Sequence, residues 1–358
     1  MRVLAFGTYE RDYPRNAQVI SCLRRAGVEV VERHEPVWEG QRHKFAAGAG
    51  AAARLAWAEA KLLARRPQEP FDVVLVGYPG HLDLPAARRA ARGRPVVFNP
   101  LVTLTDTLVE DRGRFAASSP AGRVLRALDR GALGAADAVV ADTAANAAYL
   151  RALAGLPPER VDVCFVGAEE RVFVPGWRQP ERFSALFVGK LIPLHGLETI
   201  LAAARLAPEI PFRIVGSGQL EGLLREPPPN VERVEWVDYA LLPGELHRCG
   251  CALGVFGTSA KARRVIPNKV FQALACGAPV VTGDTPAARE LLAHDATALL
   301  VPPGNPEALA AAVRRLAADA DLAHRIAARG EAVYRERAGE AVLGRRWRDI
   351  LERVARTP

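Results

Sequence analysis

Two kinds of apolar pattern alternate along this chain. Short runs rich in Val, Leu and Ala recur at Arg2–Phe6, Val28–Arg33, Phe71–Val76, Pro95–Phe98, Asp137–Ala141 and Val161–Val166. They lack the every-second-residue alternation of half-buried strands, so they predict strands covered on both faces, as in a parallel sheet. Between them, apolar positions return with helical spacing near Asn16–Arg25, Ala46–Arg65, Leu84–Ala91, Ala121–Arg130 and Thr143–Ala154. Alternation of this kind predicts a doubly wound α/β unit. The rhythm pauses over Gly167–Arg182, where Val174-Pro175-Gly176-Trp177 and Pro180 stand among charged residues, which reads as a linker. A second series then predicts strands at Ser184–Val188, Phe212–Val215, Val231–Trp236, Ala252–Phe256, Pro279–Thr282 and Thr297–Val301. Its helices start from Gly196, Pro267, Thr285, Pro306 and Asp321, and a long Arg-rich amphipathic stretch, Glu331–Val354, closes the chain. The fold class is therefore α/β, with two Rossmann-like doubly wound domains facing a cleft.

Length agrees, because 358 residues exceed one comfortable core and point to about two domains. No window approaches the roughly 18 unbroken apolar residues of a membrane span. Met1–Gly7 is too short an apolar run for a signal peptide, so a cytoplasmic location is expected. The five cysteines are scattered, with no CxxC pair, which argues against a disulfide framework and against a bound metal. The net charge of +8 favours anionic partners, but only five of the 48 basic residues are lysine. With no block of like charges interleaved with aromatics, no nucleic-acid partner is expected. Peripheral contact with an anionic membrane is a further expectation, carried by Ala46–Arg65, which sets Leu55, Trp57 and Leu62 among cations.

Three segments carry chemistry. In Phe187-Val188-Gly189-Lys190-Leu191-Ile192-Pro193-Leu194-His195-Gly196, a strand runs into a glycine, a cation, a turn and a second glycine at a helix start. Gly189 permits close backbone approach, and the helix end at Gly196 offers free N–H donors, an arrangement suited to a diphosphate. An ordinary βα turn with a solvated lysine is the alternative. In Phe212-Arg213-Ile214-Val215-Gly216-Ser217-Gly218-Gln219, the glycines with Gly222 approach a dinucleotide fingerprint, one residue too long, and this opens a second reading as an NAD-linked oxidoreductase. In the third segment Pro267-Asn268-Lys269 opens a helix that carries Gln272 and ends at Gly277, and Lys261, Arg263, Arg264 and Lys269 surround its start.

The order of these motifs, strand–GKLIPLHG–helix, strand–GSGQ, PNKVFQALACGAPVVTGDTPAARELL and TALLVPPGNPEALAAAV, resembles the C-terminal domain of family 4 (group 1) glycosyltransferases of the GT-B fold. The resemblance covers about 150 residues; the first half is similar only in its β/α rhythm and in Gly7 after strand one. It implies residues 1–167 as an acceptor-side domain, 168–183 as a linker and 184–330 as a nucleotide-sugar-binding domain. It implies that 331–358 form a helix crossing back to the N-terminal domain. It further implies a nucleotide diphosphate sugar as co-substrate, no resident cofactor, no obligatory metal and transfer with retention. The diphosphate pair of the family falls on Lys190 and His195-Gly196, with Gly189 beside them. Gly216-Ser217-Gly218 would lie under the base or ribose, with Trp236 and Asp238 beside the base. Pro267, Asn268 and Lys269 would meet the phosphates. The family's two glutamates, eight residues apart, fall on Arg264 and Gln272, so both are replaced.

No GxSxG elbow, paired carboxylates or metal-ligand cluster stands out, which fits a transferase working by positioning and by stabilising the leaving diphosphate, and the resemblance implies a hexosyl or related glycosyltransferase. Lys190 and Lys269 are the catalytic candidates of the second half. In the first half the candidates are His81, at the end of a strand, and Asp106, with Arg112 in the same loop. Tyr13, Arg15 and Asn16, near Gly7, are candidates for the acceptor side. Loss of both glutamates leaves open a degenerate GT-B protein that binds nucleotide without turnover.

Overall fold

The computed structural model describes residues 1–39, 49–64 and 67–356. The chain divides into two compact units: Met1–Val109 with Gly113–Val166 and Glu340–Pro358, and Gly167–Gly339 with the short segment Glu110–Arg112.

In the first unit the elements run β1 (Arg2–Gly7), α1 (Pro14–Arg25), β2 (Glu29–His34), α2 (Ala49–Ala64), β3 (Val73–Val76), α3 (Leu84–Ala91), β4 (Val96–Phe98), α4 (Pro120–Ala135), β5 (Ala138–Ala141), α5 (Ala144–Ala154) and β6 (Val161–Val163). A six-residue π-helical turn, Asp106–Asp111, which the apolar pattern does not announce, precedes α4. The six strands form one parallel sheet in the order β2-β1-β3-β4-β5-β6, so the winding reverses between β1 and β3. Val73, Val74, Val96, Val97, Val139 and Val140 are fully buried, as unbroken apolar runs require between two helical layers. The helix expected over Ala46–Arg65 is observed as α2, and the ends of that expectation lie outside the described residues.

In the second unit the elements run β7 (Ala185–Val188), α6 (Leu197–Leu206), β8 (Phe212–Val215), β9 (Val231–Val234), α7 (Leu242–Arg248), β10 (Cys251–Leu253), α8 (Asn268–Ala275), β11 (Val280–Gly283), α9 (Pro286–Arg289), β12 (Leu299–Val301), α10 (Pro306–Ala318) and α11 (Ala320–Arg337). The strands are parallel in the order β12-β11-β10-β7-β8-β9, which reverses between β7 and β10. Phe187, Phe212, Phe256, Leu197, Ile200 and Ile214 pack its core. The segment after Gly167 is held within this unit: the Gly176 and Trp177 N–H groups donate to the Cys276 carbonyl at 3.2 and 3.1 Å.

The single terminal helix expected over Glu331–Val354 is two helices. α11 ends at Arg337, and α12 (Glu340–Arg356) begins after Gly339 and belongs to the first unit. Glu340 opens α12 and accepts from Ser21 and Arg25 on α1. Trp347, Leu343, Ile350 and Leu351 are then buried beside Leu23 and Val19. Gly344 lets the two helices approach closely, since a Cβ there would stand 2.5 Å from the Cys22 carbonyl oxygen.

Candidate functional site

Ligands of open α/β sheets bind beyond the carboxyl ends of the strands, at the point where the winding reverses. In the second unit that point is the end of β7, where Val188 passes into Gly189 and Lys190. Gly189 (φ +148°), Gly216 (φ +145°) and Gly218 (φ +152°) all take backbone conformations that favour glycine. Their loops are braced together. The Leu191 N–H donates to the Ser217 carbonyl at 3.0 Å, and the Leu220 N–H to the Leu191 carbonyl at 2.9 Å. A Cβ at Gly216 would lie 1.9 Å from the Gly189 carbonyl oxygen, so only glycine lets the loops touch.

Beyond them the Pro193–His195 turn ends at Gly196 (φ +69°), which opens α6. The His195 carbonyl accepts from the Phe256 N–H at 3.1 Å, which pins the turn to the end of the neighbouring strand. The ring of His195 donates from Nδ1 to the Lys190 carbonyl and meets Phe187 edge-on at 5.5 Å. Burial first, and the Lys269 charge second, hold its imidazolium far below the usual range. His195 is therefore neutral at neutral pH, and with Nδ1 donating, its Nε2 is left as an acceptor. His195 is thus not a second cation in the site.

The cation is Lys269. It is the second residue of α8, whose N-cap Pro267 supplies no side-chain cap and whose first turn holds no acidic residue. By contrast α6 has Glu198 in its first turn. The Lys269 ammonium lies 3.7 Å from the centre of the Phe187 ring, and its Nζ is buried without a hydrogen-bond partner. Burial holds its pKa well below the ordinary lysine range. A Cβ on Gly189 would stand 2.8 Å from this Nζ, so the missing side chain at Gly189 makes room for the ammonium. Lys190 follows directly, exposed, with its pKa lowered by desolvation and by Arg112.

The other expected residues take distinct places. Of the four cations expected around α8, Lys261 and Arg264 already face carboxylates. Lys261 Nζ lies 3.6 Å from Asp111 Oδ2 and Arg264 Nη2 lies 3.4 Å from Glu110 Oε2. Asp111 also accepts the Leu194 N–H at 2.9 Å. Arg263 is exposed, and Asn268 is half-buried at the first position of α8. Gln272 is buried one turn beyond Lys269, next to Tyr239 and Glu169. Burial first, and then Glu169, raise the Tyr239 phenol. Neither Tyr239 nor Glu169 was legible in the sequence, because they sit in a short 3₁₀ turn and an irregular stretch. Trp236 is 61% exposed and its Nε1 donates to Asp238 Oδ1 at 3.2 Å. Both line an open depression of about 430 Å³ with Val237, Leu241, Gly244, Glu245 and Arg248.

The dinucleotide reading of Gly216 and Gly218 does not hold. After them comes only a four-residue 3₁₀ turn, Glu221–Leu224, so there is no α-helix N-terminus to receive a pyrophosphate.

In the first unit His81 is buried. Its Nδ1 lies 3.1 Å from the Pro79 carbonyl, its Nε2 3.5 Å from Asp129 Oδ1, and its ring meets Phe98 edge-on. Burial lowers its pKa, against the opposing pull of Asp129. Asp129 meanwhile accepts the Leu104 and Thr105 N–H groups, both at 2.9 Å. Asp106 is buried at the start of the π-helical turn, its N–H donating to Thr103 Oγ1 at 3.0 Å. Arg15 and Asn16, expected on the acceptor side, are interior residues. The Arg15 guanidinium donates to Asn99 Oδ1 and to the Cys164 and Phe165 carbonyls, and Asn16 Nδ2 donates to the Glu10 and Tyr78 carbonyls. Tyr13 stacks obliquely on Tyr78 at 4.8 Å. Among the described residues no group of His, Cys, Asp and Glu is arranged to hold a metal.

Residues 182–319 match the family described as glycosyl transferases group 1, and residues 1–167 match the glycosyl transferase 4-like domain. The amylovoran biosynthesis glycosyltransferase AmsK of Erwinia amylovora is 28% identical over 228 residues, 56% of this chain and 53% of that protein. A D-inositol 3-phosphate glycosyltransferase of Thermobispora bispora is 27% identical over 265 residues, 62% of this chain and 58% of that protein. The chain thus spans little more than half the length of these curated relatives. Among solved structures, sucrose-phosphate synthase from Thermosynechococcus elongatus superposes with a TM-score of 0.75 at 15% identity, over 99% of this chain and 98% of that one. HepE of Anabaena, solved in complex with UDP-glucose, gives 0.69 at 17% identity over 99% and 100%. The two doubly wound units are those of the GT-B fold.

Proposed function

We propose, from the premise that the chain belongs to the group 1 glycosyltransferase family, that it transfers a glycosyl group from a nucleotide diphosphate sugar to a hydroxyl acceptor. The observation that carries this reading is the Lys269 ammonium, buried and unpartnered at the uncapped start of α8. A buried cation without a partner is unfavourable unless an anion completes it. The α8 N–H groups, the Gly189 loop and Lys190 add donors and charge around the same point, an arrangement suited to a diphosphate.

Within this reading each group has a task. Lys269 and Lys190 neutralise the charge that gathers on the diphosphate as the glycosidic bond breaks. His195, neutral, accepts from a donor hydroxyl through Nε2. Gln272, one turn along α8, hydrogen-bonds the ribose, and Trp236 offers an aromatic surface beside the base. Arg264, already matched by Glu110, stands where the family carries a carboxylate, so the donor sugar is recognised by a different set of groups. Retention of configuration is part of the proposal. UDP-glucose, the ligand in the HepE title, is the first donor to try.

A thermal-shift panel of UDP-, GDP-, ADP- and TDP-sugars tests this, followed by transfer and donor-hydrolysis assays with the donor that stabilises. One nucleotide class should raise the melting temperature of the wild type and fail to do so in Lys269→Met. If no nucleotide sugar stabilises the protein, the donor site is misassigned. Stabilisation without turnover would instead favour a nucleotide-binding protein that has lost transfer.

A further inference from the structure

α4 in the first unit carries an outer face that no other element covers among the described residues. Its inner side is Gly122, Asp129, Ala132 and Leu133, all buried. On its outer side Val124 is 58% and Leu128 39% exposed, and Phe115, just before the helix, is 36% exposed. Arg123, Arg126 and Arg130 are exposed along the same helix. At about 100° per residue the three arginines occupy one flank and the two aliphatic residues the other, with Ala127 and Gly131 between them. The one acid of α4, Asp129, points inward and is engaged by the Leu104 and Thr105 N–H groups, so no carboxylate of the helix offsets the arginines. Arg130 donates to the Leu153 carbonyl, while Arg123 and Arg126 have no protein partner among the described residues.

We propose that this face docks on an anionic lipid bilayer, with Arg123, Arg126 and Arg130 against the headgroups and Val124, Leu128 and Phe115 entering the boundary with the acyl chains. The combination is that of an interfacial amphipathic helix. Single-stranded nucleic acid asks for aromatic platforms that Val124 and Leu128 do not provide. α2, where the sequence pattern places the membrane contact, is the weaker surface. Its Trp57 is 66% exposed, but Leu62 lies in the core and Lys61 is paired with Glu35 at 3.3 Å. The proposal is independent of the donor chemistry.

The test is co-sedimentation of the full chain with vesicles of phosphatidylcholine alone or mixed with phosphatidylglycerol, at low and physiological salt. Wild type should partition onto the mixed vesicles only. Arg123→Ser/Arg126→Ser should weaken partitioning about 30-fold, at about fivefold per basic residue. Val124→Ser/Leu128→Ser should bind at low salt and release at physiological salt. All four side chains are exposed, so both variants should melt with the wild type, which separates lost docking from lost folding. Equal sedimentation with both vesicle types overturns the proposal. So does unchanged binding of both variants, or a loss confined to Trp57→Glu. Tighter binding to a single-stranded oligonucleotide than to vesicles, lost in the arginine variant and kept in the aliphatic one, would also overturn it.

Discussion

Lys269→Met separates stability from turnover. Methionine keeps the length of the side chain and its contact with Phe187, and it removes the buried charge. An unsatisfied buried polar group costs about 1–3 kcal/mol, and more when charged. The contact of the ammonium with the Phe187 ring returns about 0.5–2 kcal/mol of that. The free protein should therefore gain about 1–2 kcal/mol, a rise of about 2–8 °C in melting temperature for a unit of this size. Transfer should fall by about a hundredfold to a thousandfold, as when one preorganised donor to a developing anion is removed. The pH dependence has a definite sign. The folded-state pKa of Lys269 lies below its unfolded value, so between the two the unfolded chain binds more protons and wild-type stability rises with pH. The advantage of the variant is then largest below the folded pKa and shrinks toward alkaline pH. Melting curves across pH without ligand, and initial rates with the stabilising donor, measure both effects. If Lys269→Met melts below wild type at neutral pH without ligand, or retains full transfer, the ammonium is not an orphan awaiting an anion.

Three other outcomes follow from the geometry. Lys190→Ala should lower kcat by about tenfold to a hundredfold with a smaller change in nucleoside diphosphate affinity, since the charge it faces grows in the transition state; equal losses in both would make it a plain binding residue. Gly216→Ala forces a Cβ to 1.9 Å from the Gly189 carbonyl oxygen at φ +145°, and should cost about 2–4 kcal/mol in urea unfolding and disorder the donor loop; an unchanged midpoint would refute the bracing of the two loops. Burial first, and the facing Asp83 carboxylate next, push the Glu59 carboxyl up to about 9. The folded protein keeps a proton that the unfolded chain loses, so stability falls as pH rises through this window, and Glu59→Gln should gain more in melting temperature at pH 9 than at pH 5.

What was legible in the sequence follows from the range over which each constraint acts. The Gly189, Gly196 and Gly216 turns could be read because their backbone conformations demand glycine locally, and Lys269 because a proline opens its helix two residues earlier. The parallel sheets could be read from their two-sided burial. The partners of Arg264 and Lys261 could not, because Glu110 and Asp111 come from a segment about half the chain away, and an ion pair at such separation leaves no local pattern. The burial of His81 leaves no local pattern for the same reason. β3 ends at Val76, His81 lies in the turn that follows, and Phe98 and Asp129 come from other elements to bury its ring. Arg15 looked like a helix-start cation facing a ligand, yet its guanidinium is spent on Asn99 and two carbonyls.

These placements divide the cations of the second unit by function in a way that net charge does not. Lys261 and Arg264 meet carboxylates at 3.6 and 3.4 Å, so their fields are largely cancelled at the start of α8. His195 adds none, because burial first and the neighbouring Lys269 second keep it neutral. Lys269 and Lys190, two of the five lysines in a chain dominated by arginine, have no carboxylate partner among the described residues. A lysine can be desolvated and still regain its proton when an anion arrives, whereas an arginine remains charged throughout. The anion raises the Lys269 pKa back toward its ordinary value, so binding of a diphosphate takes up a proton wherever the pH lies between the free and bound values. Calorimetric titration of the stabilising nucleoside diphosphate in buffers of different ionisation enthalpy would read that uptake directly. Its absence in wild type, or its survival in Lys269→Met, would place the proton, and the anion, elsewhere.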